Sequence, residues 1–244
     1  MILAVAEPGT ISYQVLFGLM IALAGVKLIL SLVLLRKVRE KRDDPAALAN
    51  SFITNVFFLI FCLFIARIFF IVFDFHYTQL DPNVYHETPD VWFWKVGSFV
   101  SSIGALPLLA YLDKKLLKNK MHYVPVILLL IGAIVVLVYP VEKKSDFNLI
   151  SLIAILSGLG VLIIPIIFLN LGRKTTGQIK RVSYMLGFGL IVYGIGGALI
   201  NEGLLGPAKQ SFGENISIFI FLLSTIMKIV GLTMVTFASS KFKL

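Results

Sequence analysis

Cysteine is almost absent: Cys62 is the single thiol in 244 residues, and it lies inside an apolar run. An internal disulfide framework is therefore excluded, as is a zinc site built on thiolates, and Cys62 reads as a small core hydrophobe. Charge is thin as well, 14% of the chain against 58% hydrophobic residues, and the mean hydropathy is +0.94. That leaves too little polar surface to wrap a water-soluble core. Acidic residues number 13, and all of them fall outside the long apolar runs. An intramembrane protease needs paired aspartates, or a serine beside a histidine, within its bundle. With no acid there, and with His76, His86 and His122 all in connections or at a helix start, the chain is not expected to be an enzyme.

What remains is apolar sequence in pieces of membrane-crossing length. Apolar windows place helices near 11–35, 51–73, 92–112, 121–140, 148–170, 182–201 and 215–238. The expected fold is all-α, a polytopic membrane protein in which residues 1–244 form one seven-transmembrane helix bundle. Basic residues are divided unequally between its two ends. The first connection carries Arg36, Lys37, Arg39, Lys41 and Arg42, the third Lys114, Lys115, Lys118 and Lys120, the fifth Arg173, Lys174, Lys180 and Arg181, and Lys241 and Lys243 close the chain. The other end has Lys143, Lys144 and Lys209. Cytoplasmic loops retain Lys and Arg, so the N-terminus is expected outside and the C-terminus inside. The formal net charge of +9 is then a belt against anionic headgroups of the cell (plasma) membrane, and nucleic acid is not an expected partner.

The opening residues lack a basic n-region, and the first run is long enough to span, so it reads as a retained helix. Trp92, Trp94, Tyr77, Tyr85, Tyr123 and Tyr139 are expected to anchor at the two interfaces. Lipid gives helices no hydrophobic reason to associate, so small residues at four-residue spacing are expected to let backbones approach: Gly18 and Ala22, Gly97, Ser101 and Ala105, Ala154 and Gly158. The sixth run concentrates Gly187, Gly189, Gly194, Gly196 and Gly197 around Tyr193. Pro107 and Pro165 remove backbone donors and should bend their helices, which suits either a ligand space or a static scaffold.

Four basic residues fall inside the runs: Lys27, Arg67, Lys95 and Lys228. Lys95 stands at the outer boundary, Arg67 can reach toward Asp74 on the same helix face, and Lys27 can extend toward the inner headgroups. For these three, snorkelling or pairing at the interface is expected. Lys228 is different, since it lies near the centre of the last run and neither headgroup layer is within its reach. An ammonium at mid-bilayer costs about 2.5–3.5 kcal/mol on insertion scales, so it should face the bundle interior. Ser224 and Thr225 share its helix face, and Ser101, Ser102 and Tyr193 lie at comparable depth on other helices. These six residues are the expected lining of a central polar cavity.

A lysine midway along the last of seven helices, with the N-terminus outside, resembles the microbial rhodopsins, and Pro107 followed by Leu108 and Leu109 is similar to their third helix. That resemblance implies retinal held as a Schiff base on Lys228. It also departs from the pattern: Ser224 stands where the family usually has an aspartate, the third-helix counterion position falls near Ser101, and the sixth helix has no tryptophan. The run Ala66–Arg67–Ile68–Phe69–Phe70 with Phe73–Asp74–Phe75 is similar to uncharacterised archaeal seven-helix membrane proteins. Tyr111, Leu112 and Asp113 invite comparison with eukaryotic seven-helix receptors, but no arginine follows the acid.

The outer loop group Asp74, His76, Asp81, His86, Glu87 and Asp90 has the ligand types for a divalent metal, yet its irregular spacing and the Asp81-Pro82-Asn83 turn read as a solvated, lid-like loop. No metal centre is expected. The leading functional expectation is a receptor-like or sensory bundle that binds a small molecule or lipid between its helices. The alternatives are a small transporter or channel for an anion or other solute, a retinal-binding protein, and a structural partner subunit without a ligand. Ligand identity and oligomeric state are open at this level.

Overall fold

The computed structural model describes residues 9–40, 47–200 and 216–242, and among them every regular element is helical. Helix α1 covers Ile11–Glu40, α2 Ala47–Ile71, α3 Val91–Lys115 and α4 Val124–Val138. Helix α5 runs over Lys144–Gly158, α6 over Ile163–Lys174, α7 over Gly177–Ala198 and α8 over Ile216–Lys241. A π-helical turn, Val72–Tyr77, prolongs α2, and a 3₁₀ turn, Leu159–Leu162, joins α5 to α6 in one rod. That 3₁₀ turn ends just before Pro165, whose missing N–H leaves the Val161 carbonyl without an i+4 donor. Helix α3 continues through Pro107 as one element.

Six of these helices are long and apolar enough to cross a membrane: α1, α2 with its π turn, α3, the α5–α6 rod, α7 and α8. The chain is an integral, multi-pass membrane protein. Helix α4 is shorter than the expected 121–140, with 15 residues. Asp113 explains part of that difference: it is buried, and its carboxylate accepts the backbone N–H groups of Met121 (3.1 Å) and Tyr123 (2.8 Å). Those bonds hold a turn in which Lys118, Asn119, His122 and Tyr123 all take left-handed backbone angles, so no helix can begin before Val124. Helix α1 runs past residue 35 to Glu40, which pairs with Arg36 (2.8 Å) and Lys37 (2.6 Å) in its last turn. Lys41, Arg42, Asn201, Lys209, Glu214, Asn215 and Lys243, used above for topology or run limits, lie outside the described residues.

With α5 and α6 taken as one rod, each helix packs on the next in chain order, and α8 returns to α1, so the bundle closes on itself. Its surface and interior are inverted relative to a soluble protein. Ile29, Ile131, Leu156, Ile166 and Ile226 are about half exposed or more, whereas Ser31, Ser183, Ser217, Ser224 and Ser239 are buried. Large aliphatic groups facing outward along whole helices have lipid as their natural solvent. The small-residue expectation holds at some positions and fails at others. Side chains at Gly189 and Gly231 would each run into the other helix's backbone, so α7 and α8 touch there. Gly18 and Gly197 face open space and serve no helix contact.

The two ends of the bundle are packed differently. Phe52, Phe168 and Phe242 form a ring-on-ring cluster, with Phe52 and Phe242 centroids 4.7 Å apart, and Tyr111 completes it. At the opposite end Leu16, Met20, Phe75, Leu80 and Phe221 pack together, so the long connection is pinned to the bundle through Leu80 instead of lying free. Tyr85 and Trp94 also turn inward, onto Phe147, and are not free interfacial anchors; Trp92 stays at the surface. Asp81 accepts from the Asn83 backbone, and Asn83 in turn accepts from Lys144. Among the described residues no three His, Cys, Asp or Glu side chains converge.

Candidate functional site

The six residues expected around Lys228 do not form one cavity. Ser101, Ser102 and Tyr193 line a space of about 350 Å³ in the middle of the bundle, together with Ser98, Ala105 and Leu232. Both serine hydroxyls donate to the Ser98 carbonyl, at 2.8 and 3.0 Å, which spends their protons and leaves their oxygens free to accept. The remainder of the wall is mostly aliphatic, from Leu59 on α2 round to Val235 on α8. The space exists because small residues occupy its rim: Gly158 and Gly194 have nothing within 4 Å of where a side chain would begin.

Ser224, Thr225 and Lys228 sit elsewhere, all buried, with Ser224 and Lys228 against Gly196 where α8 meets α7. The Ser224 hydroxyl donates to the Gly196 carbonyl and clasps the two helices together, and the Thr225 hydroxyl has no partner among the described residues. None of the three lines the central cavity. Lys228 instead belongs to a group of charges. Lys27, Arg67 and Lys228 act on one another electrostatically, and Asp74 attracts both Arg67 and Lys228. This corrects the expectation that no acid would fall within a span: the π turn carries α2 past residue 73, and Asp74 rides on it into the bundle. The acid was hidden in the sequence because an apolar window ends at the first charge, while the helix need not.

The other lysines also depart from expectation. Lys27 does not extend to the headgroups; it is 2% exposed, donates to the Leu63 carbonyl (3.1 Å), and lies 5.8 Å from the centre of the Tyr193 ring. Tyr193 thus forms the wall between this charged group and the central cavity. Lys95 is equally buried and does not snorkel. Its ammonium donates to the Tyr139 carbonyl at 2.6 Å, at the C-terminus of α4, and stands 4.7 Å over the Trp92 ring. A cation is well placed at the negative end of a helix. Arg67 reaches Met20 Sδ at 3.4 Å and lies 5.8 Å from the Phe70 ring centre. It makes no ion pair within 4 Å with Asp74, although both border a second space of about 260 Å³.

Retinal, implied by the rhodopsin resemblance, does not fit the central cavity, because no residue around that space carries a primary amine. The group of three cations and one carboxylate is the less expected arrangement. Three cations, two of them the buried Lys27 and Lys228, against one carboxylate have electrostatic capacity for an anion, whereas the central cavity has capacity for an apolar body with one or two donors. Comparison with protein families, with curated proteins and with solved structures finds no match to this chain.

Proposed function

We propose that the chain is a receptor-like or sensory protein of the cell membrane that holds a small apolar or lipid molecule in its central cavity and responds at its basic end. The observation that supports this is the cavity itself, about 350 Å³ with aliphatic walls and the hydroxyls of Ser101, Ser102 and Tyr193 at one side. Tightly packed interiors leave few voids larger than a water molecule, so a space of this size lined by α2 to α8 suits an occupant. In this reading α4 is a further crossing, which makes seven, with the N-terminus outside and the basic connections against anionic cytoplasmic headgroups. Cysteines placed at Asn83 and Lys118 would test the topology, the first reacting with an impermeant maleimide on intact cells and the second only after lysis.

Ligand binding is tested by thermal unfolding of the protein in nanodiscs against lipid extracts and small apolar compounds. An occupant at 100 times its dissociation constant stabilises by about 2.7 kcal/mol. Ala105→Phe, which fills the space, should abolish that gain without unfolding the protein. A wild-type protein that no extract stabilises, and whose Ala105→Phe variant is simply more stable, would sink the proposal. The rival reading, a small anion transporter, draws on the buried group Lys27, Arg67 and Lys228. Anion flux in proteoliposomes that disappears in Lys228→Met would favour it.

A further inference from the structure

The second cavity holds two opposite charges that do not meet. Arg67 and Asp74 both border it, and they stand seven residues apart on α2 and its π turn, so their Cα atoms are separated by about 10 Å along the axis. They attract each other, yet among the described residues the ion pairs within 4 Å are those of Glu40. Neither is fully satisfied among the described residues. The Arg67 guanidinium spends one nitrogen on the weak acceptor Met20 Sδ, and its Nε is buried without a partner. Among the described residues the Asp74 carboxylate accepts no hydrogen bond. Both residues are half-buried, and a guanidinium with one nitrogen buried and unpaired beside a facing carboxylate leaves room for a ligand that supplies the partners.

The surroundings narrow what that partner is. Phe70, Phe75, Tyr85, Trp94 and Phe221 wall the cavity, which suits an aromatic or large aliphatic body. Its volume of about 260 Å³ is below the usual range for drug-sized ligands. Of the residues that line the cavity, Arg67 carries the positive charge and Asp74 the negative one, so the potential is positive at one and negative at the other. The acid is presented by a π-helical turn, a local widening that recurs at functional sites. A simple anion would satisfy Arg67 and be repelled by Asp74, and a simple amine would do the reverse.

We propose that this cavity binds a small zwitterion with an apolar side chain, an aromatic α-amino acid or a close relative, its carboxylate on Arg67 and its ammonium on Asp74. The guanidinium donates two parallel hydrogen bonds to the carboxylate, the ammonium donates to Asp74, and the side chain lies against the aromatic wall. The site shares no lining residue with the central cavity, so it stands or falls independently of the function proposed above.

The test is calorimetric titration of the protein in nanodiscs with L-phenylalanine, L-tryptophan, phenethylamine and 3-phenylpropionate. One charge-assisted hydrogen bond corresponds to about a tenfold or greater change in affinity, so each amino acid should bind at least about tenfold more tightly than either one-charge analogue. Asp74→Asn should erase the advantage over 3-phenylpropionate, and Arg67→Gln the advantage over phenethylamine. The ligand series on the unaltered protein decides the matter even if a variant fails to fold. Absence of binding by all four compounds, or 3-phenylpropionate binding as tightly as phenylalanine, would overturn the proposal.

Discussion

Replacing Lys228 by methionine should make this protein more stable. The ammonium is 3% exposed and has no hydrogen-bond partner among the described residues, and two further cations act on it, Lys27 and Arg67, against one carboxylate, Asp74. Two repulsions against one attraction leave a net penalty on the charged form, on the order of 1 kcal/mol at an effective dielectric of about 20. Removing the charge also removes its cost at mid-bilayer, about 2.5–3.5 kcal/mol on insertion scales. Methionine keeps the volume and flexibility of the stem, so no cavity opens. Water within the bundle discounts the sum, and buried ionic groups replaced by apolar isosteres typically gain about 1–4 kcal/mol. That is the range expected here, read as a rise in the thermal midpoint of about 2–4 °C per kcal/mol for a chain of this length. Unfolding in mixed detergent micelles followed by circular dichroism provides the measurement. A loss of 1 kcal/mol or more would refute the reasoning, since it would mean that the ammonium has a strong partner that the balance of charges leaves out.

Two glycine substitutions should diverge. Gly231→Ala places a methyl against the Gly189 carbonyl and the Tyr193 backbone and should cost about 2–4 kcal/mol, whereas Gly18→Ala faces open space and should gain up to about 1 kcal/mol in the same unfolding assay. Asp113→Ala leaves the Met121 and Tyr123 N–H groups without their acceptor, and should lower stability by about 2–3 kcal/mol and raise proteolysis between residues 116 and 123. Lys95→Met removes the bond to the Tyr139 carbonyl and the contact with Trp92, and should cost about 1–2 kcal/mol, detectable as a lower thermal midpoint.

Which residues belong to the candidate sites was only partly legible. Ser101, Ser102 and Tyr193 share a cavity as their depth suggested, because depth along a helix is simply residue number times rise. Depth says nothing about azimuth around the bundle. Ser224 and Thr225 therefore matched them in height yet do not line that cavity, and Ser224 is consumed in holding Gly196 on α7. Lys27 read as a snorkelling residue because its stem is long enough; the Leu63 carbonyl on a neighbouring helix captures it first. Asp113 gave no signal of its role, since its partners are backbone groups eight and ten residues on, in a turn that no periodicity marks.

The amino-acid sequence by itself determined the solvent and the elements: long apolar helices can be satisfied only in lipid, since each closes its own backbone hydrogen bonds. Composition also decided that the few charges inside would be nearly all positive. Only the tertiary structure decided which of them face one another. Helix rotation and neighbour choice are set by how small residues let backbones close in, and Asp74 joins Arg67 and Lys228 only because α2 runs on through a π turn before the chain folds back over it.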